Sequence, residues 1–168
     1  CAIIMEPVQG EGGILPATED FMTGLRDLCD QHDIILISDE IQAGMGRIGT
    51  VFAHSAYNIE PDIITIAKGM GGGFPVGAFL AKSKFSSVFK YGDHGTTYGG
   101  NPLVTRIAYE VIDQIRQPEF LNNVIETGNY LMEGLEKLKA QTNSIEDIRG
   151  KGLMIGVDTA YDINKLLK

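Results

Sequence analysis

The chain has 168 residues, 43% of them hydrophobic, and a formal net charge of −8. This is enough for one domain with a core, and it excludes a disordered chain; the acidic balance without a basic stripe argues against nucleic acid. Two cysteines, Cys1 and Cys29, give neither a disulfide framework nor a metal-site spacing, and no apolar run approaches a membrane span, so a reducing, cytoplasmic setting is expected.

Ala2 to Met5 reads as a short buried strand. The sequence opens directly inside it, with Cys1 and no initiator Met or signal peptide, so a piece of a longer protein is expected. Glu6 to Gly13 reads as a loop, because Pro7 and the glycines cannot continue a sheet interior. A helix is predicted from about Thr18, an N-cap, with Glu19 and Asp20 suited to the positive helix end. Phe21, Met22, Leu25, Leu28 and Cys29 form its apolar face. Ile34 to Ile37 is apolar at every position, as in a parallel strand covered on both faces. Ile63 to Ile66 is a second such strand and Ala78 to Ala81 a third.

From Pro102 the pattern becomes helical, with Ile107, Val111, Ile112 and Ile115 on one face. A second helix carries Phe120, Leu121, Val124, Ile125, Leu131, Met132, Leu135 and Leu138, interrupted by Gly128. Leu153 to Val157 is a strand, followed by the start of another helix. Strands alternating with helices predict an α/β fold with a mostly parallel sheet. The junction at Gln117-Pro118 divides a sheet domain, residues 1–117, from an incomplete second unit, residues 118–168.

Lys68 is the most informative residue. It ends an apolar, β-branched run and opens a glycine-rich turn, Lys68 to Gly73. An amine so placed is either a solvated lysine after a strand or one that loses hydration, which favours its neutral, nucleophilic form and suits Schiff-base chemistry. Asp39 lies at the end of the Ile34 to Ile37 strand, where open α/β sheets bind ligands. It is either a structural carboxylate, as cap or ion pair, or the anion that holds a protonated heterocycle nitrogen. Gly44 to Gly49 matches the dinucleotide glycine pattern by letter, but Asp39 and Glu40 stand where the strand should pass into the glycine turn and would repel a pyrophosphate. His94 to Pro102 is a polar loop entering a helix, readable as a phosphate cradle or as a plain hydroxyl turn. No second histidine stands at ligand spacing, so no metal site is expected.

Together these segments resemble the class III aminotransferases, which use pyridoxal 5'-phosphate. The resemblance runs in order through Glu6 to Gly13, Ser38 to Gln42, Gly44 to Gly49, Ala67 to Ala78, His94 to Leu103 and Arg149 to Met154. Within the class, Gly71 to Ala78 and His94 to Tyr98 are most similar to the enzymes acting on acetylornithine; those for ornithine, succinylornithine and 4-aminobutyrate are near relatives. The resemblance implies the fold-type-I architecture: residues 1–117 as part of the cofactor-binding large domain, then an interdomain helix and the start of the small C-terminal domain. It implies that Lys68 holds the cofactor and later shuttles a proton, and that Asp39 keeps the pyridine nitrogen protonated. Gln42 would lie near the phenolic oxygen. Thr97, with Thr96 beside it, would contact the phosphate of a neighbouring subunit, making shared sites in a homodimer. Glu11 would pair with a substrate-binding arginine, and Glu6 shares its loop. Amino acids and 2-oxo acids would be the substrates.

Departures accompany the match. The in-subunit phosphate loop and ring-stacking aromatic should precede Cys1, and the arginine that grips the substrate carboxylate should follow Lys168. Arg26, Arg47, Arg106, Arg116 and Arg149 match none of these positions. The isolated stretch is therefore expected to lack a full site. A noncatalytic, truncated module that dimerises without turnover is the alternative of a different kind.

Overall fold

A computed structural model describes residues 1–161. The strands β1 (Ala2–Met5), β4 (Ile35–Asp39), β5 (Ile63–Ile66) and β6 (Ala78–Ala81) form one sheet in the order β1-β4-β5-β6. β1, β4 and β5 are parallel, and β6 returns antiparallel to β5. The sheet is thus mostly parallel, as expected of an α/β fold. Helix α1 (Glu19–Gln31) links β1 to β4, and the Thr18 hydroxyl caps it by accepting the Phe21 N–H at 3.2 Å. Residues 162–168, where a further helix is expected, lie outside the described residues.

One face of the sheet is closed. Met22 and Cys29 of α1 pack on Leu36, with Tyr57 and Ile59 completing the cluster and Ile3 and Met5 flanking it. The expected α1 face is only partly right: Phe21 and Leu28 are exposed. Strand β4 was expected to be covered on both faces. Among the described residues its second face stays largely open, with Ile4 61% exposed beside it and an apolar cleft of about 410 Å³ along Ile35, Ile63, Phe79 and Phe89.

Asp62 braces the end of the sheet where β4 and β5 begin. Its Oδ2 accepts the Leu36 N–H at 3.0 Å and an Arg26 N–H at 3.1 Å, while Lys84 Nζ lies 2.8 Å from Oδ1. Burial pushes this carboxyl's pKa up, but the bonds from Lys84, the Leu36 amide and Arg26 outweigh it and hold the value at about 2.

Two elements differ from the sequence expectation. The Glu6 to Gly13 loop contains β2 (Val8–Gln9), paired antiparallel with β3 (Leu15–Pro16). Strand β7 (Ile145–Lys151) precedes the expected strand, now β8 (Met154–Thr159), and the two form an antiparallel hairpin. β7 is hard to read because only Ile148 of its seven residues is fully buried.

Helix α2 (Pro102–Ile115) seats Ala108 and Ile115 against Met45, Ile66 and Met70. Helix α3 (Pro118–Gln141) starts at the expected junction and runs without interruption through Gly128. The glycine marks close packing rather than a break: a Cβ there would run into the Gly152 carbonyl of the β7–β8 turn. Gly128→Ala is therefore expected to destabilise the full-length protein by about 1–3 kcal/mol, the usual cost of overpacking. Urea unfolding decides it, because a glycine that merely interrupted the helix would give a gain of about 0.5–1 kcal/mol instead.

Candidate active site

β4 and β5 run parallel with Asp39 opposite Thr65, so their carboxyl ends emerge on the same side of the sheet. Asp39 closes β4. Its Oδ1 accepts the Ile41 N–H at 3.0 Å and the Thr65 hydroxyl at 3.2 Å. Both bonds fall on one oxygen and leave Oδ2 for a further donor. Asp39 thus makes a local turn, and its Oδ2 has no hydrogen-bond partner among the described residues.

Lys68 opens the 3-10 turn Lys68–Gly71 directly after β5, with φ at +45°. This left-handed backbone is uncommon for a residue with a side chain and costs conformational energy. Loss of hydration is not found: Lys68 is exposed, and the chain buries its neighbours Ile66 and Met70 instead. The turn swings Lys68 out of the sheet layer and into a cleft of about 190 Å³ lined by Ile41, Gln42, Met45 and Gly69, among others.

Gln42 shares that cleft, and its Nε2 donates to Glu11 Oε1 at 3.3 Å. Glu6 supports the same loop, its Oε2 accepting the Gly10 N–H at 2.9 Å. The structure thus brings Lys68, Gln42 and Glu11 together, with Asp39 at the adjoining strand end. Thr96 and Thr97 are not part of this group. They lie in the exposed loop before α2, where the Thr96 hydroxyl accepts the Gly99 N–H at 3.1 Å, a hydroxyl turn. Asn101 then caps α2 through the Leu103 and Val104 amides.

The glycines of the Gly44 to Gly49 segment serve packing. A Cβ on Gly44 would strike the Glu40 carbonyl, one on Gly46 would meet Ile115 of α2, and one on Gly49 would overlap Ile125 of α3. No phosphate loop is needed to explain them.

Sequence reading overlooked Glu40, which is completely buried. Its carboxylate accepts the Ser38 hydroxyl at 2.9 Å, the Ala53 and His54 amides, and His54 Nδ1 at 2.9 Å. Strand alternation was the available signal: if Asp39 faces the site, Glu40 faces inward. Thr65, a single hydroxyl in an isoleucine run, was the signal for Asp39's partner.

The sheet order, the α1 crossover and the strand-end carboxylate define a ligand-binding α/β domain of the open-sheet kind. The class-III aminotransferase family matches residues 1–168, and the chain belongs to that family. It is 48% identical over 167 residues to an acetylornithine aminotransferase of Clostridium acetobutylicum, covering 99% of this chain and 43% of the relative. It is 50% identical over 156 residues to a succinylornithine transaminase of Salmonella enteritidis, covering 93% and 38%. The crystal structure of N-acetylornithine aminotransferase from Stenotrophomonas maltophilia superposes with a TM-score of 0.85 at 41% identity, over 96% of this chain and 42% of that one. The chain therefore spans about two fifths of the length of these proteins.

Pyridoxal phosphate is the cofactor of this family. The residues present fit it: a primary amine and an amide face one cleft beside Gly69, which carries no side chain, and a carboxylate oxygen without a partner among the described residues sits at the adjacent strand end.

Burial raises the Glu40 carboxyl's pKa, but the His54 side chain and the His54 and Ala53 amides prevail and lower it from its ordinary 4.5. A lowered carboxyl stabilises the fold above its unfolded value, and that share is lost as pH falls through the folded value. Glu40→Gln is expected to cost about 1–3 kcal/mol for each buried donor it orphans and to flatten the acid limb of stability. Urea midpoints from neutral pH down to pH 3 would show whether both effects occur together.

Proposed function

We propose that the full-length protein containing this chain is a pyridoxal-phosphate-dependent transaminase that moves the terminal amino group of N-acetylornithine to 2-oxoglutarate. The observation that carries this reading is the convergence of Lys68 and Gln42 on one cleft with Asp39 at the neighbouring strand end. Similarity to relatives acting on acetylornithine and succinylornithine supports the donor class, an ornithine acylated at its α-nitrogen.

Bound in this cleft, pyridoxal phosphate supplies a protonated ring that takes up the electron pair left when the donor's C–H bond breaks. Asp39 Oδ2 would accept from the ring nitrogen and keep it protonated, with Thr65 holding the carboxylate through Oδ1. Lys68 Nζ would hold the cofactor and then move a proton, two tasks that its exposed position on an open cleft allows. Gln42, on the same cleft, would lie near the phenolic oxygen. Glu11 faces the amino donor.

Thr96 and Thr97 reach the phosphate bound to a neighbouring subunit, which their exposed loop permits, and the working unit is then a homodimer with shared sites. Residues 1–117 form part of the large domain, and residues 118–168 the interdomain helix and the start of the small one. The chain spans about two fifths of its relatives' length, and the turnover proposed here is that of the full-length protein. The free cysteines, Cys1 and Cys29, fit a reducing cytoplasm, and among the described residues no helix is long and apolar enough to cross a membrane.

In the full-length enzyme, Lys68→Ala is expected to abolish turnover. Asp39→Asn should slow it at least a hundredfold, about 3 kcal/mol on a scale where ~1.4 kcal/mol is tenfold. Near-wild-type rates in either variant would refute the role. A panel of N-acetylornithine, N-succinylornithine, ornithine and 4-aminobutyrate, each with 2-oxoglutarate, tests the donor. The highest kcat/KM should fall on N-acetylornithine; a different winner names another donor, and no turnover with any of them leaves the noncatalytic module.

A further inference from the structure

The turn that carries Glu11 is gripped from two sides. Within it, the Gly13 and Ile14 amides both donate to the Gly10 carbonyl, at 3.1 and 3.2 Å. On one side the Gln42 amide presses on Gly10 so closely that a Cβ there would come within 2.6 Å of it. On the other, Arg149 of β7 donates Nε–H to the Gly13 carbonyl at 2.8 Å. Gly13 has φ at +113°, and a Cβ on it would approach Arg149 Nη2 at 3.2 Å. The absence of side chains at both positions is what lets Gln42 and Arg149 lie against the turn.

Arg149 is itself held. Its two terminal nitrogens bond Asp158 at 2.7 and 3.0 Å, and Nη1 also bonds Asp147 at 2.8 Å. This fork fixes the guanidinium plane and aims Nε at Gly13. The hairpin has other attachments. Met154 packs into the cluster of Val8, Ala43, Ile48 and Ala53, and Gly156 lies against Ile14. Docking of the hairpin therefore does not hang on Arg149, whereas the Gly13 carbonyl is bonded by this side chain 136 residues away.

We propose that Arg149 is a positioning residue: through its bond to the Gly13 carbonyl it fixes the Gly10–Ile14 turn, and with it the Glu11 carboxylate that Gln42 meets. The β7–β8 hairpin thereby sets the geometry of the amino-donor side of the cleft without touching the donor. This rests on the reading of Glu11 as a donor-facing group. A lysine cannot reproduce the role, because one ammonium cannot span Gly13, Asp147 and Asp158 in a plane.

The test uses the full-length holoenzyme with Arg149→Met, Asp158→Asn and Glu11→Ala, and the best donor from the panel above. Arg149→Met is expected to raise the donor KM at least tenfold while kcat and the KM for 2-oxoglutarate change less than threefold. Asp158→Asn should shift the donor KM in the same direction by less, and it keeps the test open if the methionine variant does not fold. In a Glu11→Ala background, Arg149→Met should add nothing further to the donor KM. A fall in kcat with donor KM unchanged, or a full additional KM effect in that background, would overturn the proposal. Amide hydrogen exchange of the apo-protein gives a readout independent of turnover: residues 10–14 should exchange at least tenfold faster in Arg149→Met while residues 35–39 keep their protection. Unchanged exchange at 10–14 sinks the positioning role. If the wild type uses no donor at all, the transaminase reading fails, and the exchange result still decides whether Arg149 fixes the turn.

Discussion

A carboxylate sealed from water, Glu40, is the constraint on which the site depends. It stands one residue beyond β4, and strand alternation turns it inward, to the face opposite Asp39. An isolated charge there would be prohibitive, so the chain surrounds it with donors from Ser38, Ala53 and His54. Meeting that demand pulls the long connection between β4 and β5 back against the strand end. The Glu40 amide also donates to the Thr65 carbonyl at 2.9 Å, in the residue whose hydroxyl holds Asp39. Asp39 and Glu40 are thus both tied to Thr65, one through its side chain and the other through its main chain.

The two ends of the sheet divide the work. Where β4 and β5 begin, Asp62 is saturated by Arg26, Lys84 and a backbone amide, and its low pKa keeps it charged well into acid. Where they end, Asp39 keeps an oxygen in reserve and Lys68 stands exposed. Saturated charges give rigidity and leave nothing to offer a ligand; unsaturated ones give chemistry and need a rigid base. The same two strands carry both kinds, about one strand length apart.

Much of this was legible in the residues. Isoleucine runs announced β4 and β5, because strands in a parallel sheet lose the polar alternation that other strands show. Thr18, Pro102 and Pro118 announced helix starts, since these starts are set by one residue and a few amides. What escaped depends on contacts distant in sequence. β7 is polar along most of its length and is a strand because β8 pairs with it. Gly128 looks like a helix breaker until Gly152 is seen beneath it. Lys68 takes the solvated one of its two readings, because a strand-end position says nothing about the sign of φ at the next turn. Gln42 meets Glu11 and shares a cleft with Lys68, whereas Thr96 and Thr97 stay apart in the exposed loop before α2.

The backbone at Lys68 carries one further consequence. Any residue with a Cβ held at φ +45° costs about 1 kcal/mol more than glycine would. Selection for stability alone would therefore replace the lysine with glycine and extend the glycine run that follows it. A protein under no demand for an amine at this spot would drift toward a more robust and chemically silent sequence. Lysine there is a standing conformational cost, carried in the shape of the main chain.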